Sequence, residues 1–176
     1  MINIFGGGAQ TNINGLFFEQ ATSLDATLSS IGYSIKSSDR IDGINEVWLK
    51  TNFIGYSTPK RKIYKFLQYK GIDYTTINSK GWEPDEAFIN EGNHTVYIIE
   101  KKFQNGGGSV DEKLPGCDFK KKEYEKLFNP IGYNVVFIYV FNDWFMQPVY
   151  KDTLQYIASV NCLYCFNEIP IQWLGL

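Results

Sequence analysis

Apolar residues recur along this chain with two different periods, and the switches between them delimit its elements. From 15 to 30, Phe17, Ala21, Leu24 and Leu28, followed by Ile31, return at helical spacing, and Gly32 stops the run. The residues ahead of it, 1–14, contain Gly6-Gly7-Gly8 and predict a flexible arm. Ser57-Thr58-Pro59 has the form of a helix start, a hydroxyl cap followed by Pro at the first helical position, and Gly71 lies just past the far end. On that predicted helix, 59–70, Ile63, Phe66 and Leu67 share one stripe with Lys70. Strands are expected at 72–78 (I-D-Y-T-T-I-N), from Asp85 onward, and at 95–102 (T-V-Y-I-I-E-K-K). The interval 89–94, with Gly92 and two asparagines, reads as the turn of an antiparallel hairpin joining the last two. Asp118 is placed to cap a helix over 119–128, and Asn129-Pro130-Ile131-Gly132 breaks the chain before 133–141 (Y-N-V-V-F-I-Y-V-F), apolar enough for a fully buried central strand. A helix over 151–158 and a strand over 161–166 complete the pattern.

This alternation predicts an α/β fold in which helices flank a small mixed β-sheet on both faces. Length and composition, 176 residues with 44% hydrophobic and 16% aromatic, fit one globular domain spanning 1–176. No apolar run approaches the roughly 20 residues that span a bilayer, and the first ten lack a basic-then-apolar leader, so a soluble cytoplasmic protein with no membrane partner is expected. Three cysteines, an odd number, argue against a disulfide framework, and Cys162-Leu163-Tyr164-Cys165 with Cys117 and His94 elsewhere makes a poor zinc site. They read as small buried hydrophobes.

A net charge of −2 is unpromising for contact with polyanions, but its distribution is uneven. Between 47 and 72 stand Lys50, Lys60, Arg61, Lys62, Lys65 and Lys70 with no acid at all. Lys60, Arg61, Lys62 and Lys65 would spread over the exposed side of the 59–70 helix, as a DNA-backbone surface or as an ordinary solvated face. The aromatics around them, Trp48, Phe53, Tyr56, Tyr64 and Tyr69, are expected in the core, or one or two of them as platforms on which an unpaired base stacks.

Two short runs carry the candidate chemistry: Trp82-Glu83-Pro84-Asp85 and Glu100-Lys101-Lys102. Residues i and i+2 of a strand face the same way, so Glu100 and Lys102 converge while Lys101 points away, and the hairpin brings Asp85 beside Glu100. Two carboxylates suit Mg²⁺, which takes oxygen ligands, and a lysine next to them stabilises charge that develops on a phosphate. Gln104 would continue that face if the strand ran on, as an orienting amide or a plain strand end. The alternative is a solvated strand end at 100–102 and a turn-forming Asp85 after Pro84. Glu19 sits in the first turn of its helix, where the dipole favours an acid. The glycine-rich 105–113 loop lacks the G-K-[ST] ending of a phosphate-binding P-loop, so no nucleotide cofactor is expected. Its Ser109 and Lys113 could contact a DNA backbone, or the loop could be a plain linker. His94, in the hairpin turn, is expected to be exposed rather than catalytic.

Pro84-Asp85 followed by Glu100-x-Lys102, with a glycine loop, a helix and an apolar strand after them, resembles the PD-(D/E)XK nuclease superfamily, most closely type II restriction endonucleases. The resemblance implies a restriction-endonuclease-like core over about 72–142 and Mg²⁺-dependent hydrolysis of DNA. It implies Asp85 and Glu100 as metal ligands and Lys102 as the residue that positions or activates water. In such proteins an acid on an N-terminal helix often assists the metal, which makes Glu19 a candidate. Double-stranded DNA and a homodimer are the implied partners. A repair or structure-specific nuclease of the same superfamily and a non-catalytic DNA-binding module are the rivals.

Overall fold

The computed structural model of the chain describes residues 7–106 and 110–176, with side chains from residue 13 onward. Among these, seven strands form one sheet whose spatial order follows the chain: β1 (Tyr33–Ser37), β2 (Asn45–Leu49), β3 (Asn52–Pro59), β4 (Glu86–Asn90), β5 (Thr95–Lys102), β6 (Asn134–Phe141) and β7 (Leu163–Phe166). β1 to β5 form an antiparallel meander, whereas β6 and β7 join parallel to β5 through helical crossovers. The sheet is therefore mixed, as expected. Helices α1 (Gly7–Ala21) and α2 (Leu24–Ser30) lie on one face, and α3 (Ile63–Tyr69), α4 (Cys117–Phe128) and α5 (Lys151–Ser159) on the other. Among the described residues, no helix is long and apolar enough to cross a membrane.

Strand periodicity divides the core into two layers. Val96 and Ile98 pack with Phe66, Tyr124, Leu127 and Phe128 under α3 and α4, while Tyr97 and Ile99 pack with Leu24 and Leu28 of α2. The same alternation commits Glu100 and Lys102 to the α4 face and Lys101 to the α2 face. β6 behaves as the apolar run predicts: paired on both edges, it sends Phe137 and Tyr139 to one layer and Ile138 and Val140 to the other. Gly55 in β3 is required by close approach, because a Cβ there would run into the carbonyl oxygen of Ile89 on β4.

Several expectations are corrected. Residues 7–14, assigned to a flexible arm, belong to α1, and the helix expected over 15–30 is two helices parted at Thr22-Ser23, with Ser23 capping α2 by accepting from the Ala26 amide. Ser57-Thr58-Pro59 ends β3 instead of starting a helix; Thr58 and Ser57 sit opposite Ala87 and Phe88, and ladder pairing prevails over the cap signature. A 3₁₀ turn at Lys60–Lys62 then leads into α3, and Gly71 ends that segment with a positive φ of 81°. The 72–78 segment is no strand: Asp73 accepts from the Thr75 amide and hydroxyl, at 3.0 and 2.7 Å, and winds Tyr74–Thr76 into a 3₁₀ turn. Asp118 does not cap α4. Gly116 holds that position, and Asp118 pairs with Lys122 across one turn at 2.7 Å.

Candidate active site

The β4–β5 hairpin creates the site. Its turn is shaped by Asn90, whose Oδ1 accepts from the Gly92 and Asn93 amides at 2.8 and 3.2 Å, and by His94, exposed and at a positive φ of 50°. The register pairs Glu86 with Ile99, so Asp85 arrives beside Glu100 one position beyond the ladder. The segment leading to it is pinned twice: the hydroxyls of Tyr64 on α3 and Tyr124 on α4 both donate to the Trp82 carbonyl, at 2.8 and 2.9 Å. Asp85 is itself held at both ends. Its carbonyl accepts from the Lys60 amide at 3.2 Å, and its Oδ2 from the Lys101 amide at 2.6 Å.

Four charged side chains meet at this point. The Lys102 ammonium lies 2.8 Å from Glu100 Oε2 and 3.5 Å from Asp85 Oδ2, and donates to the Lys101 carbonyl at 3.1 Å. The other carboxylate oxygen of Glu100, Oε1, accepts from Lys120 Nζ at 2.8 Å. Glu100 is the innermost member, its side chain 4% exposed against about a quarter for the other three. Burial pulls the Lys102 ammonium toward its neutral form, but the charges of Glu100 and Asp85 more than offset this and leave its pKa raised. The two carboxylates thus favour the charged form of Lys102.

Two carboxylate oxygens and one carbonyl oxygen converge on a single cationic atom, Lys102 Nζ. Among the described residues, no three His, Cys, Asp or Glu side chains gather as metal ligands. A Mg²⁺ site does not require three, since this ion keeps several waters and binds through one or two carboxylates together with substrate phosphate. The donor set, all hard oxygen, suits that ion in kind.

The remaining predicted residues are distributed unevenly. Glu19 stands in the last turn of α1 and not in the first turn of its helix, so the dipole does not account for it; it lines a cleft shared with Lys60, Asp85, Glu86 and Lys101, and its backbone carbonyl accepts from Lys101 Nζ at 3.0 Å. Gln104 falls beyond the end of β5, where its amide and carbonyl clasp the Asn142 side chain at 3.1 and 2.8 Å. That clasp ties the exit of β5 to the exit of β6. Of the basic segment, Lys60 reaches the Asp85 cleft, and Lys65, Arg61 and Lys62 line a neighbouring one. Arg61 pairs with Glu83 at 3.0 Å and Lys62 with Asp42 at 3.3 Å, so acids distant in sequence do reach the face that looked free of them. Lys113 is exposed on the 3₁₀ segment Asp111–Gly116, and Ser109 lies outside the described residues.

Lys120 is the principal residue that sequence reasoning missed. One signal for it exists: Lys120, Tyr124 and Leu127 follow i, i+4, i+7, so this lysine sits at the head of the buried stripe of α4. Tyr64 and Tyr124 carry no such signal, because a hydroxyl donating to a loop carbonyl is invisible before the elements assemble. Comparison with protein-family models, with curated proteins and with solved structures finds no match.

Proposed function

We propose that this chain is a Mg²⁺-dependent nuclease acting on DNA, with a site of the PD-(D/E)XK kind on a restriction-endonuclease-like core. Its finer form would be a type II restriction enzyme, a homodimer cutting both strands at a short site. The observation that carries the reading is the convergence of Asp85 Oδ2, Glu100 Oε2 and the Lys101 carbonyl within 3.5 Å of one cationic atom. Asp85 and Glu100 would hold Mg²⁺, which when bound polarises a phosphoryl oxygen and lowers the pKa of water. Lys102 and Lys120 supply positive charge on flexible stems, where charge develops on the phosphate and leaving oxygen. The Lys101 amide fixes the Asp85 carboxylate, so that part of the site is oriented in advance.

Incubating unmethylated plasmid with Mg²⁺, with and without chelator, tests this. Cleavage that chelator abolishes is expected, and discrete fragments mark a sequence-specific enzyme where a structure-specific one leaves linear duplex uncut. Asp85→Asn and Glu100→Gln should each lower the rate by about 100-fold or more while Ca²⁺-supported DNA binding persists. Cleavage at the native rate in both variants would remove this site from the chemistry.

A second reading is favoured by the pairing of both Glu100 oxygens with lysines: a closed ion-pair network within a non-catalytic DNA-binding module. Under it Glu100→Gln changes the melting temperature and no preparation cuts DNA.

A further inference from the structure

We propose that the cleft between Arg61 and the 74–83 segment holds an unpaired nucleotide of a DNA strand, next to the proposed cutting site. The identity of the ligand as DNA rests on the nuclease reading; the chemistry of the cleft does not.

The cleft measures about 580 Å³, within the range of ligand sites, and is lined among others by Arg61, Tyr74, Asn78, Lys80, Trp82 and Glu83. Two of its residues carry buried polar atoms with no hydrogen-bond partner, the acceptor Asn78 Oδ1 and the donor Trp82 Nε1. Asn78 is 4% exposed, and its amide group is oriented by donating Nδ2 to the Glu123 carbonyl at 2.9 Å. Both atoms are enclosed in the wall of the cleft, so recognition falls to the groups that face its interior.

The parts of a nucleotide find counterparts among those groups. Lys80 Nζ lies 4.3 Å from the centre of the Trp82 ring, a cation on a flexible stem occupying a stacking surface. A base taking that face would release Lys80 toward its phosphate. Arg61 also lines the cleft, donating to Glu83 at 3.0 Å and to the Tyr74 hydroxyl at 2.9 Å, so the lining carries two cations, Arg61 and Lys80, and one carboxylate. A balance of only one excess positive charge suits a single phosphodiester better than a free triphosphate. A second cleft of about 690 Å³ continues from Arg61 and Tyr74 past Lys62 and Lys65, giving a strand room to extend. Lys120 connects this surface to the candidate active site, 5.9 Å from the Trp82 ring and 2.8 Å from Glu100.

Tryptophan fluorescence of the full chain, titrated in chelator with a short oligothymidylate, the matching blunt duplex and thymidine 5′-monophosphate, tests the proposal. The oligothymidylate should quench emission and bind more tightly than the other two. Trp82→Phe should abolish most of the quench, and Lys80→Ala should weaken binding by about tenfold, the scale of one stacking or cation contact. Thermal melts show whether Trp82→Phe folds; if it does not, the exposed Lys80→Ala variant decides. Duplex or mononucleotide binding as tightly as the single strand overturns the proposal, as does unchanged oligothymidylate affinity in Lys80→Ala. Because binding is read without divalent cation and cleavage with it, failure of the cleft and failure of the nuclease reading are separable.

Discussion

Lys102 and Lys101 are adjacent and chemically identical, yet strand geometry gives them opposite tasks. Lys102 joins Asp85 and Glu100, where its ammonium stays protonated. Under the nuclease proposal, Lys102→Ala lowers the cleavage rate by about 100-fold with DNA affinity changed only a few-fold, and a normal single-turnover rate would remove Lys102 from the mechanism. The cysteines give a prediction independent of function. All three are buried and free; burial pushes the Cys165 thiol up to about 12, and a hydrogen bond with Cys117, then burial, pushes Cys162 up as well. A folded thiol that keeps its proton where the unfolded one releases it, near pH ~8.5, contributes stability that is intact below that pH and lost toward pH 12. At pH 8 Cys165 of the native protein should therefore react with a thiol reagent far more slowly than in the urea-unfolded chain, which should titrate all three. Rapid labelling of Cys165 in the native state would contradict the packing.

Between elements, the hairpin is legible because its turn residues and its periodicity agree, whereas the extent of α1 and its break from α2 depend on a tertiary anchor that local propensity does not contain. That anchor is Lys101. Its side chain, 2% exposed, donates to the Glu19 carbonyl at 3.0 Å and pairs with Glu86 at 2.7 Å, and Glu86 in turn accepts from the Leu24 amide at the start of α2. Burial raises the Glu86 pKa, with Lys101 and the Leu24 amide opposing it. Lys101→Ala strips the charge that balances a largely buried carboxylate and should lower stability by about 3 kcal/mol, measured by urea unfolding. A loss below about 1 kcal/mol would show that α1 and α2 are held by apolar contacts such as Leu24 and Leu28 alone. Asp73 and Ser57-Thr58 teach the reverse lesson. A side chain bonding its own backbone defeats a strand at 72–78, and a neighbouring strand defeats a cap at 57–59.

Across the molecule, the basic segment that looked free of acids is partly neutralised on folding, since Glu83 and Asp42 reach Arg61 and Lys62. If this surface tracks DNA, reversing Lys60 and Lys65 together should reduce the slope of log affinity against log salt by about 1–2, and reversing Arg61 and Lys62 should reduce it by less. Equal slopes in both variants and in the native protein would assign the whole segment to solvation. Alternation along β5 was enough to place Glu100 with Lys102 and Lys101 apart, turn chemistry at 91–94 to bring Asp85 near, and an apolar run to bury β6. These are short-range properties, set by backbone geometry and by which side chains avoid water. Folding alone decided that α4 delivers Lys120 to Glu100, that two tyrosines hold the Trp82 carbonyl, and that Asn78 and Trp82 share a cleft with Arg61. Each of these joins residues far apart in the chain, and one sequence contains no term for a contact that exists only once two layers have closed on a sheet.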